Sequence, residues 1–252
     1  MVRPKKHLGQ HFLTDRNISE KIANCVSENF HQICEIGPGT GILTQSLLKK
    51  NFKKITLIEI DAESVEYLKN NFTDPRLSII ETDFLKLELK SLFNEPLALI
   101  GNFPYNISSQ IFFKILEHKE TFTEVAGMIQ KEVAERIIAR PGNKTYGILS
   151  VLLQTWFDLE YCFTVNETVF FPPPKVKSAV IRLKRNNTVN LPCDEHFFIK
   201  VVKTAFNQRR KTLRNALKPL GKHIPDSPLF AKRAEQLSVN DFVNLTSLLE
   251  EA

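Results

Sequence analysis

Short runs of branched apolar residues recur at 33–36, 55–59, 77–80, 97–100 and 125–129, without the strict alternation of a strand wetted on one face. Strands covered on both faces read this way, so the runs predict a buried parallel sheet. Between them, 42–50, 62–72 and 108–117 repeat their apolar positions at the helical period, and strand–helix alternation of this kind predicts a doubly wound α/β sheet. Residues 175–184 change the pattern: Val176, Ser178, Val180 and Arg182 alternate with Lys177, Ala179, Ile181 and Leu183, as a late strand would. Asn186-Asn187 and Pro192 then form a polar break. The expected organisation is an α/β domain over 1–188 and a small helical domain over 189–252.

No apolar run approaches the roughly 18 residues that span a bilayer, the longest being 148–153. The opening, Met1-Val-Arg-Pro-Lys-Lys-His-Leu-Gly-Gln-His-Phe12, is basic but lacks the apolar stretch of a signal peptide, so a cytoplasmic chain is expected. Cysteines at 25, 34, 162 and 193 form no Cys-x-x-Cys, and the six histidines form no His-Glu-x-x-His. Reduced thiols and no metal site follow as expectations. Net charge is +6, from 34 Lys+Arg against 28 Asp+Glu, and its distribution matters more than its size. Residues 200–222 carry Lys200, Lys203, Arg209, Arg210, Lys211, Arg214, Lys218 and Lys222 and no acid. Arg210, Arg214 and Lys218 recur every four residues, which on one helix would make a single cationic stripe suited to phosphates. Residues 35–88 hold nine acids and seven bases, a net of −2, as suits a lobe that binds a cationic ligand.

Three of the nine glycines fall in Glu35-Ile-Gly37-Pro-Gly39-Thr-Gly41, directly after a predicted strand and before a predicted helix. Glycines at that turn let the backbone approach a ligand closely, and the helix start presents unsatisfied N–H groups to it. Ile42 breaks the dinucleotide fingerprint, and no Gly-Lys-Ser/Thr of a phosphate loop is present. Glu59 closes the second predicted strand, where a carboxylate can accept both ribose hydroxyls. Asp83 ends the third and can accept from an adenine amino group. After the fourth strand comes Asn102-Phe-Pro-Tyr105. The exocyclic amine of adenine is a poor nucleophile because its lone pair is delocalised into the ring. An amide oxygen from Asn102 and the backbone carbonyl of Phe103 could accept its hydrogens and localise that pair, while Tyr105 and Phe170 offer flat faces for an extruded base.

Lys5-Lys-His-Leu-Gly-Gln-His-Phe-Leu13, the glycine loop, Glu59-Ile-Asp61, Asp83-Phe-Leu85, Asn102-Phe-Pro-Tyr-Asn-Ile-Ser108, Gln130-Lys-Glu-Val-Ala-Glu-Arg136, Phe171-Pro-Pro-Pro-Lys-Val-Lys-Ser178 and Phe206-Asn-Gln-Arg-Arg-Lys-Thr-Leu-Arg-Asn-Ala-Leu217 together resemble, in order, the motifs of the ribosomal RNA adenine dimethyltransferases, in their bacterial small-subunit branch. The resemblance runs from residue 5 into the C-terminal domain. It implies a class I S-adenosylmethionine-dependent methyltransferase fold, Rossmann-like with seven strands, and S-adenosylmethionine as methyl donor. It also implies N6,N6-dimethylation of two adjacent adenosines near the 3′ end of 16S rRNA in an immature small subunit, with no membrane and no obligate protein partner. By the same resemblance, Gln10, His11, Leu13, Gly37, Glu59, Asp83 and Asn102 would surround the donor. Asn102, Phe103, Tyr105 and Phe170 would serve the target base, and Arg209, Arg210, Lys211, Arg214 and Lys218 the RNA. Phe103 stands where the family usually has Leu. Competing readings are a large-subunit rRNA enzyme of the macrolide-resistance type, a DNA adenine methyltransferase, disfavoured by the absence of Asp-Pro-Pro-Tyr, and a non-catalytic binding protein of the same fold, either an assembly checkpoint on the ribosome or a transcription-factor-like descendant.

Overall fold

The computed structural model describes residues 2–252, the side chain of Lys90 excepted. In chain order the elements are β1 (Phe12–Leu13), α1 (Arg16–Ala23), β2 (Gln32–Ile36), α2 (Ile42–Leu48), β3 (Lys54–Glu59), α3 (Ala62–Asn71), β4 (Leu77–Glu81), α4 (Leu89–Leu92), β5 (Leu97–Asn102), α5 (Ser108–Glu117), β6 (Phe122–Gln130), α6 (Lys131–Ile138), α7 (Ile148–Trp156), β7 (Phe157–Val165), β8 (Phe170–Phe171), β9 (Ser178–Arg185), α8 (Glu195–Asn207), α9 (Leu213–Ala216) and α10 (Val239–Glu250). Each of the five apolar runs is a strand and each of the three periodic segments a helix.

Seven strands form one sheet in the order β4-β3-β2-β5-β6-β9-β7. The pairs β2–β3, β2–β5, β3–β4 and β5–β6 are parallel, and β9 runs antiparallel to β6. All five residues of β2 are buried, because helices cover both faces. Ile33, Ile55, Leu57, Ala98, Ile100, Ala126, Met128 and Val180 meet in one core cluster. Burying an Ile or Leu of this kind stabilises the fold by about 1.5–3 kcal/mol. The sequence pattern gave no hint of β7: at a sheet edge it exposes Asp158, Glu160 and Thr164, so its apolar positions never form a run.

Two compact units divide the chain, one reaching to Ala134 and including Leu159–Arg185, the other made of Glu135–Asp158 and Asn186–Ala252. Residues 135–158 thus group with the C-terminal helices, where the sequence pattern set a single cut after 188. Aromatic packing is the reason. Trp156 meets Phe198 edge-on at 6.0 Å between centroids, Tyr146 meets Phe206 at 6.1 Å, and Phe206 stacks on Phe242 at 5.8 Å. Helix starts in this unit follow their caps: the Asp194 carboxylate accepts from Phe197 N at 2.7 Å, and Ser238 and Asp241 cap α10 reciprocally.

The single cationic stripe is not present. α8 stops at Asn207, Arg210 lies in the following turn, Arg214 is on the separate helix α9, and Lys218 begins a 3₁₀ turn. Like charges at four-residue spacing, here Arg210, Arg214 and Lys218, disfavour one continuous helix. Local contacts also end it: the Arg209 guanidinium lies 5.9 Å from the Phe206 ring and donates to the Lys144 carbonyl at 2.8 Å, and extended Thr212 opens α9. Arg209, Arg210, Lys211, Arg214 and Lys218 are nonetheless all exposed.

Candidate active site

Strand order reverses beside β2: β3 lies on one side of it and β5 on the other, with Ile36 paired to Gly101. The loops leaving such neighbouring strands diverge and open a crevice at their carboxyl ends. Gly37 follows β2, Glu59 ends β3, Asp83 follows β4 and Asn102 ends β5, so the four acceptor-bearing or ligand-approaching positions share one edge. Two adjoining hollows of about 440 and 570 Å³ lie there, both lined by Leu8, Gly37, Glu59, Ile60 and Pro104. Gly9, Gln10, His11, Phe12, Gly39, Asn102, Phe103 and Tyr105 complete the first, and Asp83 belongs to the second.

Gly37 and Gly39 have φ of 64° and 55°, a backbone that L side chains adopt at a cost. At Gly39 a Cβ would also stand 2.7 Å from the Phe12 ring. Glu59 is 4% exposed and accepts backbone N–H groups from Gly39 at 3.0 Å, Ile60 at 2.9 Å and Asp61 at 3.0 Å. Burial raises its pKa from the ordinary carboxylate value, and the three N–H donors oppose that rise. They also hold the carboxylate in place. Asp83 caps the 3₁₀ turn that follows it, accepting from Leu85 N through Oδ1 at 2.9 Å and leaving its second oxygen for a ligand. Beneath this turn, Lys114 donates to the carbonyls of Leu85 and Leu87 and so fixes the Asp83 loop.

The Asn102 amide nitrogen donates to the His11 carbonyl at 2.8 Å. Only the NH₂ end can face a carbonyl, so the amide flip is determined and Oδ1 is left as an acceptor in the cleft. Tyr105 stacks on the His11 ring, 5.4 Å between centroids and 28° between planes, and its hydroxyl lies 2.5 Å from Ser178 Oγ. Phe103 is fully buried. Its ring sits against Gly101 and Gly127, where an added Cβ would come within 3.0 and 2.6 Å of it, and it meets Phe112 edge-on. The bulkier residue at this position is accommodated by two glycines.

Cleft-lining positions thus gather Gln10, His11, Gly37, Glu59, Asp83, Asn102, Phe103 and Tyr105. Leu13 and Phe170 are placed elsewhere: both are 4% exposed and belong to the core cluster, paired across β1 and β8. Asp61 went unnoticed as a site residue. It caps α3 and binds Ser64 Oγ, Gln10 Nε2 and the Lys5 ammonium, so it ties the N-terminal segment over the cleft. Its signal was an Asp placed directly before the predicted helix 62–72, where a cap belongs. The Ser178–Tyr105 and His11–Tyr105 contacts had none, since each joins segments distant in sequence.

A seven-stranded, mostly parallel sheet with a glycine loop after its first sheet strand and an acid ending the next defines a class I S-adenosylmethionine-dependent methyltransferase. The sequence profile of the ribosomal RNA adenine dimethylases matches residues 1–250, and the chain belongs to that family. It is 56% identical to the ribosomal RNA small subunit methyltransferase A of Cytophaga hutchinsonii, covering 98% of each chain, and 57% identical to that of Bacteroides thetaiotaomicron, covering all of this chain and 96% of that one. A crystal structure of a dimethyladenosine transferase from Plasmodium falciparum superposes with a TM-score of 0.78 at 27% identity over 93% of this chain and 96% of the other. The 23S rRNA methyltransferase ErmE shares the fold, with a TM-score of 0.69 at 24% identity over 95% and 99%. The enzyme is an S-adenosylmethionine-dependent rRNA adenine dimethyltransferase. The donor fits the residues present: close backbone approach at Gly37 and Gly39, a fixed carboxylate at Glu59 and the open oxygen of Asp83 match a cationic nucleoside. Among the described residues no group of three or more His, Cys, Asp or Glu is placed to hold a metal, and no helix is long and apolar enough to cross a membrane.

Proposed function

We propose that the substrate is the small-subunit rRNA in an immature particle, and that the two methylated nucleotides are adjacent adenosines in its 3′-terminal hairpin loop. The observation that carries the chemical part is Asn102, whose amide is turned by the His11 carbonyl so that its oxygen faces the cleft. When bound, S-adenosylmethionine supplies a methyl carbon made electrophilic by its sulfonium. Glu59 holds the ribose end of the donor, Asp83 its adenine, and the Gly37 backbone its flank. Asn102 Oδ1 and the Phe103 carbonyl accept the hydrogens of the target amine, raising the electron density available for in-line attack. Tyr105 supplies one flat wall for the base. Phe170, buried in the core cluster, pairs with Leu13 of β1, and a direct stacking role would require its ring to leave that cluster. Two 56–57% identical relatives that bear a small-subunit name support the choice of particle.

Asn102→Ala is expected to keep donor affinity by calorimetry and to lose transfer by about 10²-fold or more in single turnover, because the acceptor matters most as charge develops on the amine. A near-normal rate would remove Asn102 from this role. Labelled donor, incubated with small subunits lacking the modification, large subunits and duplex DNA, should mark only the small subunit, as dimethyladenosine. Label in large-subunit RNA would transfer the assignment to the macrolide-resistance type.

A further inference from the structure

We infer that Phe171, with Lys175 and Lys177, forms a subsite for the RNA nucleotide that flanks the target adenosine: the ring stacks on the neighbouring base and the two ammonium groups bind its phosphates. This rests on the reading of the cleft as an RNA adenosine site. Four large hydrophobic side chains are exposed among the described residues, Ile60, Phe171, Val176 and Val189, and Phe171, at 60%, is the aromatic one. Alternation along β8 turns Phe170 into the core and Phe171 outward. The loop that carries Phe171 is fastened to the cleft at both ends. Phe171 pairs with Phe12, whose ring lines the cleft, and the next carbonyl, that of Pro172, lies 2.7 Å from His11 Nδ1. At the far end Ser178 Oγ bonds the Tyr105 hydroxyl. Phe171 therefore adjoins Phe12 and His11, two residues that line the hollow containing Asn102 and Tyr105, with its own ring exposed.

An exposed phenyl ring gives up the stabilisation that burial would bring, and Pro172-Pro173-Pro174 prevents the loop from folding back to recover it. Charge decides between possible occupants. Lys175, Val176 and Lys177 are all exposed, residues 170–178 contain no acid, and neither lysine has an ion-pair partner among the described residues. A backbone bond from Lys131 N to the Lys177 carbonyl at 2.9 Å fastens this end of the loop to the start of α6. A flat apolar face beside cations is what a single strand of nucleic acid needs, since every base has a stacking face and every nucleotide a phosphate. An apolar protein partner would leave the lysines unanswered.

The test uses the full-length protein, unmodified small subunits and saturating donor. Phe171→Ala should raise the apparent KM for the particle roughly 10- to 100-fold, as expected for one lost stacking platform, with kcat and donor affinity near wild type. Phe171→Trp should restore the KM. Lys175→Ala/Lys177→Ala should lower the slope of log affinity against log salt by about 1.4 to 1.8, at about 0.7 to 0.9 per phosphate contact. If the wild type methylates the particle and Phe171→Ala has an unchanged KM, the subsite is wrong and the proposed function stands. A wild type inert on small subunits overturns both. Conversion of a self-associating wild type to monomer by Phe171→Ala, seen by sedimentation, would assign the ring to a contact between copies and overturn the subsite.

Discussion

Phe103 shows how one residue at the cleft can be legible in chemistry and illegible in packing. Its carbonyl is expected from the motif, but the seat of its ring between Gly101 and Gly127 exists only after β5 and β6 pair. Gly127→Ala should therefore destabilise the protein by about 1–3 kcal/mol through overpacking, and Phe103→Leu/Gly127→Ala should recover much of that loss in urea melts. Additive effects would deny the coupling. Glu59 needs a gentler probe than alanine, because three backbone N–H groups depend on it. Glu35, fully buried beside Thr44 Oγ1 at 2.7 Å, has its pKa pushed up to about 8 by desolvation. A folded-state pKa raised above the unfolded value favours the native state at low pH. That contribution is complete below about 4.5 and is withdrawn as pH rises towards about 8. Glu35→Gln, which cannot ionise, should gain thermal stability over wild type progressively from about pH 5 to about pH 8 and keep a constant difference above that. A pH-independent difference in midpoint would contradict the assignment.

At the scale of elements, Asp61 ties the N-terminal segment to the start of α3. Asp61 accepts from Glu63 N, Ser64 Oγ, Gln10 Nε2 and the Lys5 ammonium, and hydrogen bonding from Lys5 and its neighbours keeps its pKa below the ordinary value against the desolvation that raises it. Asp61→Ala should cost about 0.5–2 kcal/mol for the lost cap. It should also free residues 3–12, seen as faster proteolysis there, and weaken donor binding about tenfold, because Gln10, His11 and Phe12 are cleft walls. Unchanged donor affinity together with rapid cleavage would show that the segment is dispensable for the donor. The strands and helices that frame this cleft were readable because burial on both faces leaves a continuous apolar run. β1 and β8, two residues each, leave no pattern at all, and it is their pairing that buries Leu13 and Phe170.

For the whole molecule, charge is partitioned between segments: a net of −2 over residues 35–88, eight cations and no acid over 200–222. The cations are exposed although they follow a helix, a turn, a second short helix and a 3₁₀ turn. If about five of them meet phosphates, log affinity for the particle should fall against log salt with a slope of about −3.5 to −4.5. Arg210→Glu/Arg214→Glu should flatten that slope and abolish particle methylation, while donor affinity by calorimetry stays near wild type. A slope unchanged by the double reversal would exclude this surface from RNA binding.

The five buried strands β2 to β6, the helices α2, α3 and α5 between them, the glycine loop, and the acids and amide at strand ends were determined by sequence alone. These depend on the period of apolar residues and on what neighbours in the chain can do for one another. The tertiary structure decided the flip of Asn102, through a carbonyl 91 positions away. It set the stacking of Tyr105 on His11, the burial of Phe170 against the exposure of Phe171, and the grouping of residues 135–158 with the C-terminal helices. In each case the deciding contact joins segments remote in sequence, and no local pattern encodes which of two adjacent side chains a distant strand will cover.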